Sequence, residues 1–207
     1  VSALLVESSP YTLGVRVEDA GGLADTAVVE VFVQEFDPVG LWTLDEGSGG
    51  VAGDSAAPAQ DGVLDGPQWT SGLFGNALQF DGVNDHVDFE TRASLSGMTD
   101  FTVSAWIKTT GNTPQVIFQQ RGPFNIYGQY QFMVQPDGTL SFWVYGAGAY
   151  QFPGQGNGVQ TQQTVNDGEW HFVSAVRQGN EGFIYIDGQV APAASAVGTA
   201  QALDGTI

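Results

Sequence analysis

The sequence predicts an all-β protein made of many short antiparallel strands. Apolar residues recur at every second position in short runs, and the three-and-four spacing of an amphipathic helix is nearly absent. The 29 Gly and 9 Pro, set against 14% charged residues, indicate frequent turns. Short strands that follow one another without intervening helices are typical of a β-sandwich or jelly roll.

The first predicted strands form a hairpin near the N-terminus. Apolar side chains alternate along residues 11–17, a Gly-containing turn follows at residues 19–22, and residues 26–33 supply a second β-branched run. Two strands alone are marginally stable in water, so we expect the hairpin to close a preceding domain. The segment YTLGVRVEDAGGLADTAVVEVFV resembles the last two strands of bacterial cadherin-like and immunoglobulin-like repeats. We therefore interpret residues 1–35 as the C-terminal strands of such a repeat.

A second pattern begins at Gly40, after a linker that contains Pro38, which lacks the N–H that a strand donates. Two tight turns are signalled by Pro136-Asp137-Gly138 and by Asp187-Gly188, because Gly accepts the positive φ of a hairpin turn. The strands predicted in this part of the chain are residues 41–44, 77–80, 87–89, 101–108, 116–119, 130–134, 139–145, 170–176 and 183–186.

Alternation also predicts which side chains are buried. Phe101, Val103, Ala105 and Ile107 form one face of their strand, and we expect this face to point to the core. The same holds for Leu140, Phe142 and Val144, so Trp143 and Tyr145 point the other way, either into a second packing surface or onto an exposed platform. Large aromatic rings fix sheet packing, and we expect Trp106 and Trp170 to be core anchors. We expect His171 to alternate with core-facing Trp170 and Phe172 as an ordinary strand residue.

Five further segments occur in register along the second part of the chain: GLWTLDEGSGGVAGDSA at 40–56, GLFGNALQFDGVNDHVDF at 72–89, FTVSAWIK at 101–108, DGEWHFVSAV at 167–176 and FIYIDGQ at 183–189. Together they resemble the concanavalin A-like, laminin-G-like jelly roll of bacterial surface proteins. The resemblance implies an antiparallel β-sandwich over residues 36–207. Such domains usually end in a Gly-rich loop and a strand reading roughly G.IDEVRIY, so we expect the last strand or strands to be missing here.

One loop carries residues suited to calcium. Asp81, Asn84 and Asp85 place three oxygen-bearing side chains within five residues, beside a Gly that permits a sharp turn. Calcium takes six to eight oxygen ligands from flexible loops of this kind. The resemblance implies calcium at a sandwich rim, with Asn84 and Asp85 as a ligand pair, and Asp54 is a second candidate. The alternative is that Asp-Gly and Asn-Asp are ordinary turn residues.

Aromatic residues in and around one predicted hairpin point to carbohydrate. Tyr130, Trp143, Tyr145 and Tyr150 occur there with glutamines interleaved, and a pyranose ring can stack on Trp or Tyr. The alternative is that these rings belong to the core.

An enzyme on the same scaffold is a further alternative. Concanavalin A-like glycosidases need two carboxylates on one strand face, and Asp88 and Glu90 share a face with His86. The Glu-x-Asp-x-x-Glu pattern of those glucanases is absent, and exposed strand faces ordinarily carry carboxylates, so we expect no catalysis.

Charge and composition limit the partners. Asp and Glu number 23 against five Lys and Arg, which gives a formal net charge of −18 and disfavours nucleic acid and anionic membrane surfaces. The chain has no cysteine and no apolar run of membrane-spanning length, and it opens without an export signal. We therefore expect an internal piece of a large bacterial protein, secreted or on the cell surface. Its expected role is non-catalytic adhesion or carbohydrate binding, with a glycan or surface protein as ligand. The alternative is a structural spacer that self-assembles through neighbouring domains.

Overall fold

The computed structural model describes residues 11–18, 24–31, 38–89, 98, 100–120, 130–144, 158–178 and 181–197, and in these residues the chain is all-β. The strands are β1 (Tyr11–Glu18), β2 (Ala24–Val31), β3 (Val51–Ala52), β4 (Gly62–Asp65), β5 (Gln68–Ser71), β6 (Asn76–Gln79), β7 (His86–Asp88), β8 (Asp100–Lys108), β9 (Gln115–Gln120), β10 (Tyr130–Val134), β11 (Thr139–Val144), β12 (Gly158–Thr164), β13 (Trp170–Gln178), β14 (Glu181–Ile186), β15 (Gln189–Val190) and β16 (Ala193–Val197). The predicted fold class is confirmed.

Two larger antiparallel sheets make the body of the fold. One has the strand order β16-β12-β11-β10-β9, and the other has the order β15-β14-β13-β8. Both predicted hairpin turns are confirmed. Gly138 joins β10 to β11 with a φ of +84°, and Asp187 and Gly188 join β14 to β15 with φ values of +51° and +78°. Positive φ at both central residues matches the right-handed twist of the strands that such a turn connects.

The core lies between the inner faces of these two sheets. The five-stranded sheet contributes Phe132, Leu140 and Phe142, which are almost fully buried. Val173 and Ile184 contribute from the four-stranded sheet, and partly buried side chains of β8, β9 and β12 pack around them. The ring of Phe101 meets Phe142 edge-on across the sandwich, with centroids 5.9 Å apart. Burial of apolar area is the main favourable term in folding, so this layer holds the two sheets together.

Residues 38–89 form two smaller sheets, β3-β4-β7 and β5-β6. The predicted strand at 41–44 is reduced to one isolated bridge between Trp42 and Asp54. The Trp42 ring packs on Phe89 with centroids 4.3 Å apart, and its indole N–H donates to the Gln60 carbonyl at 3.0 Å. Side-chain contacts therefore replace a longer strand ladder in this segment.

The hairpin of β1 and β2 is present, with Tyr11 paired to Val31 and Glu18 paired to Ala24. Both strands have eight residues, close to the predicted ranges. The residues between them and those that follow, at 19–23 and 32–37, lie outside the described residues.

Two predictions about β8 and β13 are wrong. Trp106 is not a core anchor but is 45% exposed on the outward face of the four-stranded sheet. Trp170 and Phe172 share that outward face, since they pair with Lys108 and Trp106, whereas His171 lies on the inner face opposite Ile107. The reason is the register: Val173 and Ala175 are fully buried opposite Ala105 and Val103, so the residues between them must point outwards.

Candidate functional site

Asp54 organises the loop that runs from 41 to 61. Its carboxylate is buried, and its Oδ1 accepts hydrogen bonds from the backbone N–H of Leu41 at 2.8 Å and of Ala56 at 2.9 Å. Its Oδ2 accepts a third bond from the N–H of Gln60 at 3.0 Å. The two oxygens thus satisfy one buried and two partly buried backbone donors. These three hydrogen bonds give Asp54 a structural role in holding the loop together.

The other candidate calcium ligands occupy one exposed turn. The Asp81 carboxylate accepts from the N–H of Val83 at 2.8 Å, and the Asp85 carboxylate accepts from the N–H of Asp81 at 2.8 Å. The backbone carbonyl of Asn84 lies 3.0 Å from Nδ1 of His86. Over the described ranges, with their gaps, no group of three or more His, Asp or Glu side chains is arranged to hold a metal ion. The calcium site stays a prediction, with Asp81, Asn84 and Asp85 in this turn and Asp54 as the second candidate.

Asp85 also fixes the neighbouring turn at Gly66. The φ of Gly66 is +99°, and a Cβ built there would overlap Oδ1 of Asp85. A left-handed backbone and a contact that admits no side chain both require glycine at this position.

The aromatic candidates lie on opposite faces of the five-stranded sheet. Tyr130 is 2% exposed and points into the core, where its ring stacks on Phe118 with centroids 5.7 Å apart and planes 7° apart. Trp143 points outwards and is 6% exposed. The structure does not bring these two rings together as one stacking surface. Tyr145 and Tyr150 lie outside the described residues.

Trp143 is buried partly because residue 158 has no side chain. Gly158 is its partner across β11 and β12, and a Cβ built there would overlap Cε3 of the indole ring. Within the described part of the chain, the indole Nε1–H has no hydrogen-bond acceptor. An unpaired buried donor costs about 1 to 3 kcal/mol, so this N–H lowers the stability of the fold.

Around Trp143 the outward face of the five-stranded sheet carries amide and hydroxyl side chains. We call Gln119, Gln131, Ser141, Trp143 and Gln160 the amide face. Gln131 donates to Gln119 at 3.5 Å across β9 and β10. Gln160 donates to Oγ1 of Thr139 at 2.9 Å. Among the described strand positions of β9 to β12 that point outwards, no side chain is charged. Sequence alternation located Trp143 but missed this face, because β12 reads GVQTQQT and lacks an apolar repeat.

The structure gives the glycosidase alternative no additional support. Asp88 is exposed on β7, and His86 in the same strand lies 4.0 Å from the exposed carboxylate of Asp65. Glu90, the second carboxylate of the predicted pair, lies outside the described residues.

Sequence analysis overlooked a group of three titratable side chains. His171 lies between two carboxylates, with Nδ1 2.8 Å from Oδ2 of Asp187 and Nε2 3.2 Å from Oδ1 of Asp167. Partial burial lowers the pKa of His171, but the hydrogen bonds to Asp187 and Asp167 outweigh it and raise the pKa above its usual value. The same contacts, with backbone N–H groups, lower the pKa of both aspartates. The spacing Asp-x-x-x-His was the available signal for one of these two contacts.

The chain matches a known protein family. Residues 81–206, more than half of the chain, match a laminin G family model described as the concanavalin A-like lectin/glucanases superfamily. Neither the curated proteins nor the solved structures gave a match. In the described ranges, no helix is long and apolar enough to cross a membrane.

Proposed function

Since the chain belongs to the concanavalin A-like lectin/glucanase superfamily, we propose that it is a non-catalytic carbohydrate-binding or adhesion module of a large bacterial protein, secreted or on the cell surface. Laminin G-like domains generally bind ligands without catalysis. The family alone does not decide the ligand, because one fold hosts many functions. The proposal therefore rests on the amide face.

The observation that carries the proposal is the chemistry of this face. Gln119 is exposed and Gln131 is half-buried, so their amides reach solvent as paired donors and acceptors. Amides both donate and accept, which matches the hydroxyl groups of a sugar. Trp143 is too buried to stack on a sugar, and its indole N–H is buried as well, so the two glutamines carry the recognition. Recognition through amides replaces the aromatic stacking that the sequence suggested.

The same face indicates a neutral glycan. Its described outward strand positions are uncharged, and the chain carries a formal net charge of −18. A glycan rich in carboxylates or sulfates would meet electrostatic repulsion from the chain, and the described strand positions of the face carry no cation to offset it.

The test is a glycan array with the full chain, followed by calorimetry on any neutral glycan that binds. The double variant Gln119→Ala, Gln131→Ala removes both exposed amides. Each lost hydrogen bond costs about 0.5 to 1.5 kcal/mol, so we expect binding to weaken about 5- to 100-fold. The matched control is Gln178→Ala, an exposed glutamine at the end of β13 in the other sheet. Unchanged affinity in the double variant would show that the glycan binds elsewhere, and an empty array would reject the proposal.

Calcium belongs to the proposal as a cofactor held at the turn 81–85. Asp81, Asn84 and Asp85 carry side-chain oxygens of the kind that calcium prefers. Oδ1 of Asp81 accepts from the N–H of Val83, and Oδ2 of Asp85 accepts from the N–H of Asp81. Running the array in calcium and then in EDTA distinguishes glycan binding that needs the ion from binding that does not.

A second candidate function, assembly, is favoured by a different surface. We call Phe74, Trp106, Trp170 and Phe172 the outer aromatic face. Phe74 is 71% exposed and Phe172 is 36% exposed, and both rings contact Trp106. Clustered and exposed aromatic side chains are typical of surfaces that pack against protein. Sedimentation velocity tests this function: self-association that Trp106→Ser abolishes and Val116→Ser retains would support assembly, since Val116 is equally exposed on the other sheet.

The domain boundaries are also proposed. We assign residues 1–35 to the end of a cadherin-like or immunoglobulin-like repeat, supported by the β1–β2 pairing, and residues 36–207 to the laminin-G-like domain. Limited proteolysis that cuts first between residues 32 and 40 would support this boundary, and first cuts elsewhere would move it.

A further inference from the structure

His171 links two turns at one rim of the sandwich. We call the turn at residues 165–169 the rim turn; it leads from β12 in one sheet to β13 in the other. His171 lies just after it, with a side chain only 13% exposed, between Asp167 of the rim turn and Asp187 of the β14–β15 turn. The histidine therefore connects two turns that approach it from different elements.

The two contacts require two protons on the imidazole ring. An ionised carboxylate only accepts hydrogen bonds, and a neutral imidazole carries one N–H. Only the imidazolium form donates to both carboxylates at once. A neutral ring must face one carboxylate with a nitrogen lone pair, which is repulsive.

The contact to Asp187 is the one that survives in the neutral ring. It is shorter, at 2.8 Å against 3.2 Å, and Oδ1 of Asp187 is also fixed by the N–H of Phe172 at 2.9 Å. Oδ1 of Asp167 is shared with the N–H of Glu169 at 2.9 Å and can keep that bond when the histidine contact is lost. Loss of the proton on Nε2 thus removes the link to the rim turn.

We propose that His171 is a proton-operated latch: the imidazolium ring holds the rim turn to the β14–β15 turn, and the neutral ring releases the rim turn. The ligand is the proton, and no other group needs to bind. The inference goes beyond the proposed function and does not depend on it.

The rim turn also makes hydrogen bonds to residues that adjoin strands of both sheets. The N–H of Val165 donates to the Gly138 carbonyl in the β10–β11 turn at 2.9 Å, and the N–H of Gly168 donates to the Thr109 carbonyl after β8 at 3.0 Å. The Asn166 amide reaches the Gly111 carbonyl at 3.3 Å. Both sheets therefore meet at this turn, and its release loosens one end of the sandwich.

The charges around His171 come from the two turns. The rim turn supplies Asp167 and Glu169, and the β14–β15 turn supplies Asp187. On β8 the residue opposite His171 is Ile107, and the neighbouring Lys108 is exposed on the other face of that strand. Among these described groups, the carboxylates outnumber the single lysine, which favours the protonated ring.

The working range of the latch follows from the directions of the pKa shifts. The pKa of His171 is raised above 6.5, and the pKa values of Asp167 and Asp187 are lowered below 3.8, so the closed form covers the acidic range between them. The histidine's contribution to stability is complete below its unfolded value of about 6.5 and disappears as the pH rises through the folded pKa. The aspartates contribute fully above 3.8 and lose their contribution as the pH falls through their folded pKa values.

Amide hydrogen exchange read by NMR on the full chain tests the latch. The probe is the N–H of Gly168, followed from pH 5.5 to 8.5 alongside the ¹⁵N shifts of the His171 ring. We expect the protection factor, corrected for intrinsic exchange, to fall about threefold at the midpoint of His171, a modest step because solvent screens the half-exposed Asp167. His171→Gln and Asp167→Asn should remove this step, while His86→Gln, which changes the histidine on β7, should retain it.

Two results would overturn the latch. One is a Gly168 protection factor that stays constant across the His171 titration in the unmodified protein. The other is a step of the same size and midpoint in both His171→Gln and Asp167→Asn, since each variant removes one side of the contact. Asp167→Asn changes no side-chain volume, so it keeps the test available if His171→Gln does not fold.

Discussion

Replacing Asp54 distinguishes a loop-organising carboxylate from a calcium ligand. The side chain accepts three backbone N–H bonds, at 2.8, 2.9 and 3.0 Å, from a segment of about twenty residues that has almost no strand ladder of its own. Asp54→Ala leaves these donors without their acceptor. Hydrogen bonds to a charged group contribute about 1.5 to 3 kcal/mol each, but water reaches the partly buried donors after the change. We therefore expect a net loss of about 3 kcal/mol in the free energy of unfolding.

Asp54→Asn sharpens the same test. An amide oxygen in place of Oδ1 still accepts from Leu41 and Ala56, whereas the new NH₂ group faces the N–H donor of Gln60. The expected loss is smaller, about 1 to 2 kcal/mol. The protein with Asp54 is therefore expected to be the most stable, followed by Asp54→Asn and then Asp54→Ala, because each change leaves fewer hydrogen-bond acceptors.

The assay is urea unfolding of the full chain by tryptophan fluorescence, with thermal melts in calcium and in EDTA. A loss of about 3 kcal/mol corresponds to a fall of roughly 6 to 12 °C in Tm for a protein of this size. Asp65→Asn, an exposed acid on β4, is the control and should change little. A loop-organising role predicts the same losses in both buffers. Losses that appear in calcium and vanish in EDTA would refute it and return Asp54 to the set of metal ligands.

Three further predictions concern packing and metal binding. Gly158→Ala inserts a Cβ that overlaps the Trp143 ring, so we expect about 1 to 3 kcal/mol of destabilisation in urea unfolding. Gly50→Ala, where a Cβ meets open space, should cost little, and equal effects of the two changes would contradict the close packing. Leu140→Ala removes a fully buried side chain between the sheets and should lower the free energy of unfolding by about 2 to 5 kcal/mol in the same assay. The control, Val116→Ala at an exposed site, should have a small effect. A small effect of Leu140→Ala would place Leu140 outside the core. Millimolar calcium should raise the Tm by several degrees if the turn at 81–85 binds it, because a native-state ligand at about 100 times its Kd adds about 2.7 kcal/mol. Asp81→Asn together with Asp85→Asn should abolish that rise, and an unchanged melt of the unmodified protein in EDTA would remove calcium from the proposal.

Local patterns of residues were enough to predict most of the strands. Alternation predicted β8, β10, β11 and β14 closely, since a strand with one buried face repeats its apolar residues at spacing two. The strands that escaped prediction are β3, β4, β5, β12, β15 and β16. β3 and β15 are only two residues long, and β4 is a four-residue strand that begins with Gly62. The others, β5, β12 and β16, carry Gln, Thr, Ser or Ala where an apolar repeat would be. Their pairing comes from neighbouring strands that are distant in sequence.

The candidate site was less predictable than the strands. Asp54 was identified as an oxygen ligand, but its three backbone donors come from residues up to 13 positions away, which no local motif reveals. Tyr130 and Trp143 appeared as one aromatic group, yet the antiparallel register of β10 and β11 places them on opposite faces. The latch at His171 depends on a turn sixteen positions away in sequence.

The sequence by itself therefore determined the all-β class, the two glycine turns, the inner faces of β8 and β11, and the family, because strand period, turn residues and motifs are local properties. Tertiary structure decided which face of β13 is buried, since both of its faces carry aromatic or apolar residues and only the register with β8 distinguishes them. It also decided the amide face and the pairing of His171 with two carboxylates. Each of these features requires strands or turns that are distant in sequence to lie close together in the fold. The spacing of residues along the chain does not show which of them do so.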